Sequence, residues 1–242
     1  MTDPFAHHPE LRDRIADPET SFFRNFTVER LLAERPELAA FRPWIHTDAQ
    51  REAIRAEALA GHEGDLWIFA YGSLMWDPAL HFAELRRAYA PGHARKFILF
   101  DEKGGRGTAE APGLMAGLDA GDGCEGLALR IPAAVVDVET EILFRREAIG
   151  PGYTPAFVPV LIDGETVRAL TFLVNHASPD IRPDLTHDQQ VRYIATGAGF
   201  LGTSRDYLAN IVAHFDALGI QDELCASLMR DVDAYRTAQA LA

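Results

Sequence analysis

A short apolar run, Leu66-Trp67-Ile68-Phe69-Ala70-Tyr71, ends directly on Gly72-Ser73-Leu74-Met75-Trp76. Glycine lets a chain leaving a strand turn sharply and aim several backbone N–H groups at one point. Such a nest holds a carboxylate or phosphate without a cationic side chain. Tyr71, Gly72, Ser73 and Leu74 are therefore candidate anion-binding residues; the plainer reading is an ordinary strand-to-loop turn. Ser73 does not fit a G-x-S-x-G nucleophile elbow, because Tyr71 and Met75 stand where glycines are needed.

A second candidate lies in Phe144-Arg145-Arg146-Glu147, at the end of a predicted helix. A glutamate in the last turn opposes the helix dipole, at roughly 0.3–1 kcal/mol when exposed. Glu147 also follows Leu143, Thr140 and Val136 on one helical line, so it flanks the apolar face. A carboxylate that breaks two local rules is a candidate functional residue. Periodicity leaves two other readings open: a solvated helix end paired with Arg145 or Arg146, and Glu139, which shares the apolar arc.

Two further residues suit an acidic ligand. Arg106, within Gly104-Gly105-Arg106-Gly107-Thr108, has the fork geometry to grip a carboxylate through two parallel hydrogen bonds; a solvated loop arginine is the alternative. Tyr207 offers a hydroxyl from the first turn of a predicted helix, although on an apolar stripe it also reads as core.

Other chemistries find little support. The 23 basic and 36 acidic side chains give a net charge of −13, which disfavours nucleic acid and anionic membrane surfaces as partners. Nine histidines occur without H-E-x-x-H spacing, so no metal is expected. No Walker loop or G-x-G-x-x-G follows a strand, so no nucleotide is expected either. Cys124 and Cys225 are too few and too distant for a disulfide framework. No apolar run approaches the ~20 residues of a membrane span, and no secretory signal is visible, which points to the cytoplasm.

These residues need a scaffold, and the chain changes texture to provide one. Residues 1–64 read as a polar, helical N-terminal extension, with Arg51 to Ala60 rich in helix formers. With Pro4, Pro9 and Pro18 and few apolar side chains, residues 1–20 are expected to lack strong anchoring, whereas those from Trp44 onward pack on the core. Residues 65–242 form the main domain. Strands are predicted at 66–71, 93–101, 114–118, 126–131, 157–162 and 166–174, the last two joined by an Asp163-Gly164-Glu165 turn. A helix is predicted over 132–147, stopped by Gly150-Pro151-Gly152. Thr186-x-x-Gln189 and Thr203-x-x-Asp206 then open a helical C-terminal tail. Strands, an inserted helix and a helical tail predict an α+β fold with a small barrel.

In order along the chain, several segments together resemble the ChaC-like γ-glutamylcyclotransferases, from Asp65 to about Tyr235. They are Leu66 to Trp76, Arg106-Gly107-Thr108 with Pro112-Gly113, Leu129-Arg130-Ile131-Pro132, Phe144-Arg145-Arg146-Glu147, Gly152-Tyr153-Thr154-Pro155, Gly199-Phe200-Leu201-Gly202 and Asp206-Tyr207-Leu208. The resemblance implies a small mixed β-barrel flanked by helices and a reaction without cofactors. A γ-glutamyl α-amine attacks its own side-chain carbonyl, releasing 5-oxoproline and an amine; with glutathione the amine is cysteinylglycine. It also places the catalytic glutamate on Glu147 and the glutamyl-binding loop on Tyr71, Gly72, Ser73 and Leu74. A monomer acting on a small molecule is expected. Another γ-glutamyl amine as substrate, or a non-catalytic module that binds an anionic metabolite, are the competing readings. Thr154, where many relatives have arginine, and Ile181-Arg182-Pro183 depart from the family pattern and bear on the grip of the cysteinylglycine half.

Overall fold

In the computed structural model, which describes residues 3–241, the apolar run that begins at Leu66 becomes the first strand of a sheet. In chain order the strands are β1 (Leu66–Ala70), β2 (Glu84–Ala90), β3 (His93–Asp101), β4 (Gly113–Ala120), β5 (Cys124–Ile131), β6 (Tyr153–Ile162) and β7 (Glu165–Val174). Their spatial order is β1-β5-β2-β6-β7-β4-β3. A parallel pairing of β1 with β7, at Trp67↔Ala169 and Ile68↔Leu170, closes β1, β5, β2, β6 and β7 into a five-stranded barrel. The β3–β4 hairpin extends from this barrel through Leu118↔Leu173. A closed barrel leaves β1 little contact with water, which is why its sequence is a continuous apolar run and not an alternating one.

The Asp163-Gly164 signal is a two-residue hairpin turn between β6 and β7. Both residues have positive φ, 49° and 87°, the conformation that matches strand twist. β2 was not predicted. Its buried side chains are small or few, Leu85, Ala88 and Ala90, and they are interleaved with charges. Those charges pair across the sheet, Arg87 with Glu125 and Glu84 with Arg130, so the usual apolar strand signal is missing.

Six α-helices surround the barrel among the described residues: α1 (Val28–Glu34), α2 (Asp48–Ala58), α3 (Val136–Glu147), α4 (His187–Thr196), α5 (Ser204–Leu218) and α6 (Glu223–Ala240). Thr186 and Gln189 form the predicted reciprocal capping box at α4, and the Thr203 side chain accepts from the Asp206 N–H at α5. None of these helices is long and apolar enough to cross a membrane.

Residues before β1 are tied to the barrel from their first turns, which overturns the expectation of weak anchoring over 1–20. Leu11 is fully buried and joins Ile15 in the main core. The Ala16 N–H donates to Trp76 O at 2.7 Å, and the Leu85 N–H donates to Pro4 O at 3.1 Å. The stretch has few apolar side chains, but two of them, Leu11 and Ile15, are buried. A second, smaller core gathers Phe26, Val28, Leu31 and Leu38.

Both cysteines are free and buried, Cys124 at the start of β5 and Cys225 in α6. Burial pushes the Cys124 thiol up, and that of Cys225 up to about 12.

Candidate active site

The chain leaves β1 at Tyr71 and tightens into a 3₁₀ turn over Ser73–Met75. The Met75 N–H donates to Gly72 O and the Trp76 N–H to Ser73 O, while the N–H groups of Ser73 and Leu74 have no acceptor among the described residues. The turn that follows Gly72 thus leaves two backbone donors free at the start of a helical turn. Gly72 has an ordinary φ; what requires glycine is Tyr207, whose hydroxyl occupies the space a Cβ would need.

Two arginines hold this turn. Arg95, almost fully buried, donates from Nε to Tyr71 O at 2.7 Å and from Nη2 to Glu125 O at 2.6 Å, and pairs with Asp222, the N-cap of α6. Its guanidinium also lies 4.6 Å from the centre of the Phe215 ring. Arg146, on the last turn of α3, donates from Nη2 to Ser73 Oγ at 2.7 Å and from Nη1 to Asp77 O. Its Nε lies 2.9 Å from Glu147 Oε1, and its guanidinium covers the Phe23 ring at 3.9 Å.

Ser73, Arg146, Glu147, Tyr153 and Tyr207 line one cavity of about 210 Å³. The Glu147 side chain retains 14% exposure. Burial raises its carboxyl above the ordinary glutamate range, and the neighbouring Arg146 only partly offsets this. Three phenols are gathered around it. Burial first, and then the Glu147 charge, raise Tyr71 and push Tyr207 up to about 12; Tyr153 is raised by burial and by the same neighbours. These phenols remain protonated donors at neutral pH.

Not every predicted residue faces the cavity. The Tyr71 hydroxyl donates to Phe172 O at 2.7 Å inside the barrel, and Leu74 is buried in the core, so neither side chain lines the cavity. Arg106 lies beside the cavity lining, its guanidinium 5.8 Å from the Tyr207 ring centre. That guanidinium has no acceptor among the described residues. The loop carrying it is held and not free: Asp101 accepts from the N–H groups of Lys103, Arg106 and Gly107, and Gly104 O accepts from the Phe200 N–H at 2.7 Å.

The rival carboxylate, Glu139, is 2% exposed and occupied elsewhere. Arg24 grips both of its oxygens, and the His81 N–H donates to it at 3.0 Å. Among the departures, Thr154 is exposed on β6, whereas Ile181 bridges to Leu99 and Arg182 stacks on Phe100. Among the described residues, no three His, Cys, Asp or Glu side chains gather as a metal site.

Sequence reasoning did not single out Arg146 or Tyr153 as site residues, nor the aromatic wall of the cavity that holds Glu147. The Phe22-Phe23-x-x-Phe26 cluster was the visible signal for that wall. Three phenylalanines at helical spacing in a polar stretch need something to cover.

The family model described as ChaC-like protein matches residues 66–235, a span that contains the barrel, the Ser73 turn, Glu147 and Tyr207. The chain is 38% identical over 177 residues to the glutathione-specific gamma-glutamylcyclotransferase of Escherichia coli, covering 72% of this chain and 76% of that protein. It is 28% identical to the human glutathione-specific gamma-glutamylcyclotransferase 1, over 73% of this chain and 82% of that one. The crystal structure of a yeast gamma-glutamyl cyclotransferase specific to glutathione superposes with a TM-score of 0.64 at 21% identity. It covers 72% of this chain and 98% of the yeast chain, and so shares the fold. With most of its length inside that model, and the whole barrel within the match, the chain belongs to the ChaC-like protein family.

Proposed function

We propose that this chain is a glutathione-specific γ-glutamylcyclotransferase with Glu147 as its general acid/base. The observation that carries the reading is that Glu147, a carboxyl raised by burial, lines one cavity with Ser73, the residue that opens the turn with free N–H donors. An ammonium cannot attack a carbonyl, so the Glu147 carboxylate takes a proton from the γ-glutamyl α-ammonium. The freed amine attacks the γ-carbonyl carbon, forming the five-membered ring, and the amide C–N bond breaks. Glu147 returns that proton to the departing nitrogen as the C–N bond breaks. The second proton, shed by the ring nitrogen as it becomes the lactam N–H, completes the ammonium of cysteinylglycine, so both protons lost by the α-ammonium end on the leaving group.

Attack within one molecule removes most of the entropic barrier; effective molarities of about 10⁵–10⁸ M are reached when the conformer is held. The Ser73 and Leu74 N–H groups serve the α-carboxylate or the developing oxyanion, and the Tyr207 phenol is a further donor. Arg146 fixes Ser73 and Glu147 relative to one another. Arg106, without a protein acceptor, suits a substrate carboxylate. In this reading residues 65–242 are the catalytic domain of a cytoplasmic monomer, and residues 1–64 are an extension that closes one wall of its site.

The test is release of 5-oxoproline and cysteinylglycine from glutathione by purified protein in the presence of EDTA, with light scattering for the oligomeric state. Turnover of γ-glutamyl dipeptides but not glutathione would overturn the substrate assignment. No 5-oxoproline from any γ-glutamyl compound would overturn the reaction.

A further inference from the structure

Much of the aromatic lining of the cavity that holds Glu147 is built by chain that lies outside the family match. Phe22, Phe23, Phe26, Phe41 and Trp44 all precede residue 66, and Phe200 meets them from the other side. The rings contact one another: Phe22 lies 5.6 Å from Phe26 and 6.1 Å from Phe200, centre to centre. Phe22 is 43% exposed and marks the mouth of the cavity. The charges on this side are already matched, because Lys103 pairs with Asp180, and the Trp44 indole N–H donates to the other Asp180 oxygen at 2.6 Å.

A thiol and a glycine carboxylate offer such a surface almost nothing. If they were the whole of the leaving half, the aromatic faces would stay against water. Lys103 still has N–H donors for a carboxylate, while the phenylalanines call for an apolar group beside it. We infer that this site takes glutathione thioether conjugates, γ-glutamyl peptides whose cysteine sulfur carries an apolar substituent, and that residues 22–45 form the subsite for that substituent. The chemistry at the γ-carbonyl is unchanged, and the thioether bond is untouched. The released amine is the S-substituted cysteinylglycine. The catalytic half of this inference rests on the cyclotransferase reading; the binding half does not.

Calorimetric titration of S-methyl-, S-butyl- and S-hexylglutathione into the full-length Glu147→Gln protein measures the binding half without consuming ligand. A fully buried methylene is worth about fourfold in affinity. S-butylglutathione should therefore bind at least about tenfold tighter than the S-methyl compound, short of the roughly sixtyfold that complete burial of three methylenes would give. Phe22→Ala, at an exposed position that tolerates truncation, and Phe41→Ser should each compress that ratio toward one. Equal affinities across the series overturn the inference, as does a graded series that neither substitution alters. Turnover by the parent protein separates the two readings. Cleavage of glutathione alongside a flat series removes the apolar subsite and leaves the proposed reaction. Graded, Phe22-dependent binding with no 5-oxoproline from any compound removes the reaction and leaves the subsite.

Discussion

Replacing Glu147 with glutamine keeps the length of the side chain and an oxygen for Arg146 but removes the proton carrier. A positioned acid/base is worth roughly 10²–10⁴ in kcat, or about 2.7–5.4 kcal/mol of barrier. Affinity should change little, since the Ser73 turn and Arg106 remain. Stability moves the other way. Burial raises the Glu147 pKa above its unfolded value, so the folded state binds the extra proton, and stability falls as pH rises through that raised pKa. Glutamine does not titrate, so Glu147→Gln should melt at or above the parent near pH 8, with the difference vanishing near about pH 4. Glu139→Gln is the contrasting variant. It breaks a two-oxygen ion pair with Arg24 that is almost wholly buried, at roughly 3–5 kcal/mol, or about 10 °C in Tm for a chain of this size. Its folded fraction should turn over normally. The assay is kcat for 5-oxoproline release, normalised to folded protein, beside thermal melts at both pH values. Near-parental kcat in Glu147→Gln, with a folded but inactive Glu139→Gln, would refute the assignment.

Gly72→Ala should abolish turnover by forcing the Ser73 turn away from Tyr207, and adding Tyr207→Phe should restore much of the lost Tm, because the nearest remaining ring atom lies 3.5 Å from the new Cβ. Leu11→Ala should cost about 2–5 kcal/mol in chemical denaturation despite lying in the polar N-terminal stretch, because its side chain is fully buried in the main core. For Asp119, partial burial raises the carboxyl, but hydrogen bonds from His176 and Lys96 outweigh this and lower it to about 2. Its stabilisation is therefore present above the ordinary aspartate range and lost as pH falls toward about 2, so Asp119→Asn should cost roughly 0.5–1 kcal/mol at neutral pH and nothing near pH 2.

The barrel was legible wherever local chemistry and tertiary position agree. β1 is apolar throughout because both of its faces are covered, and the β6–β7 turn is written in Asp163-Gly164. β2 was not legible, because its stability comes from cross-strand ion pairs and small buried residues that only the register with β5 reveals. At the site, the sharp turn after Tyr71 could be read from glycine alone, but its cause could not. Tyr207 reaches Gly72 from a helix 135 positions later, and no local pattern carries that contact. The choice between Glu147 and Glu139 was likewise closed to periodicity, since both flank one arc and the difference is tertiary: Arg24 and the His81 N–H hold Glu139, whereas Glu147 pairs with Arg146 and lines the cavity. The N-terminal stretch misled in the opposite direction. A low average of apolar residues concealed that Leu11 and Ile15 are placed in the main core.

The two buried cysteines bear on how the protein coexists with the peptide it is proposed to consume. Mixed disulfides form when a thiolate attacks, or is attacked through, an accessible sulfur. A thiol with a pKa of about 12, as at Cys225, is ionised in roughly one molecule in 10⁵ at neutral pH, and Cys124 is buried and raised in the same way. Neither sulfur is placed to become glutathionylated or to be oxidised to a sulfenic acid. The proposed activity therefore follows the supply of reduced peptide, and the catalyst itself is blind to the redox poise of that pool.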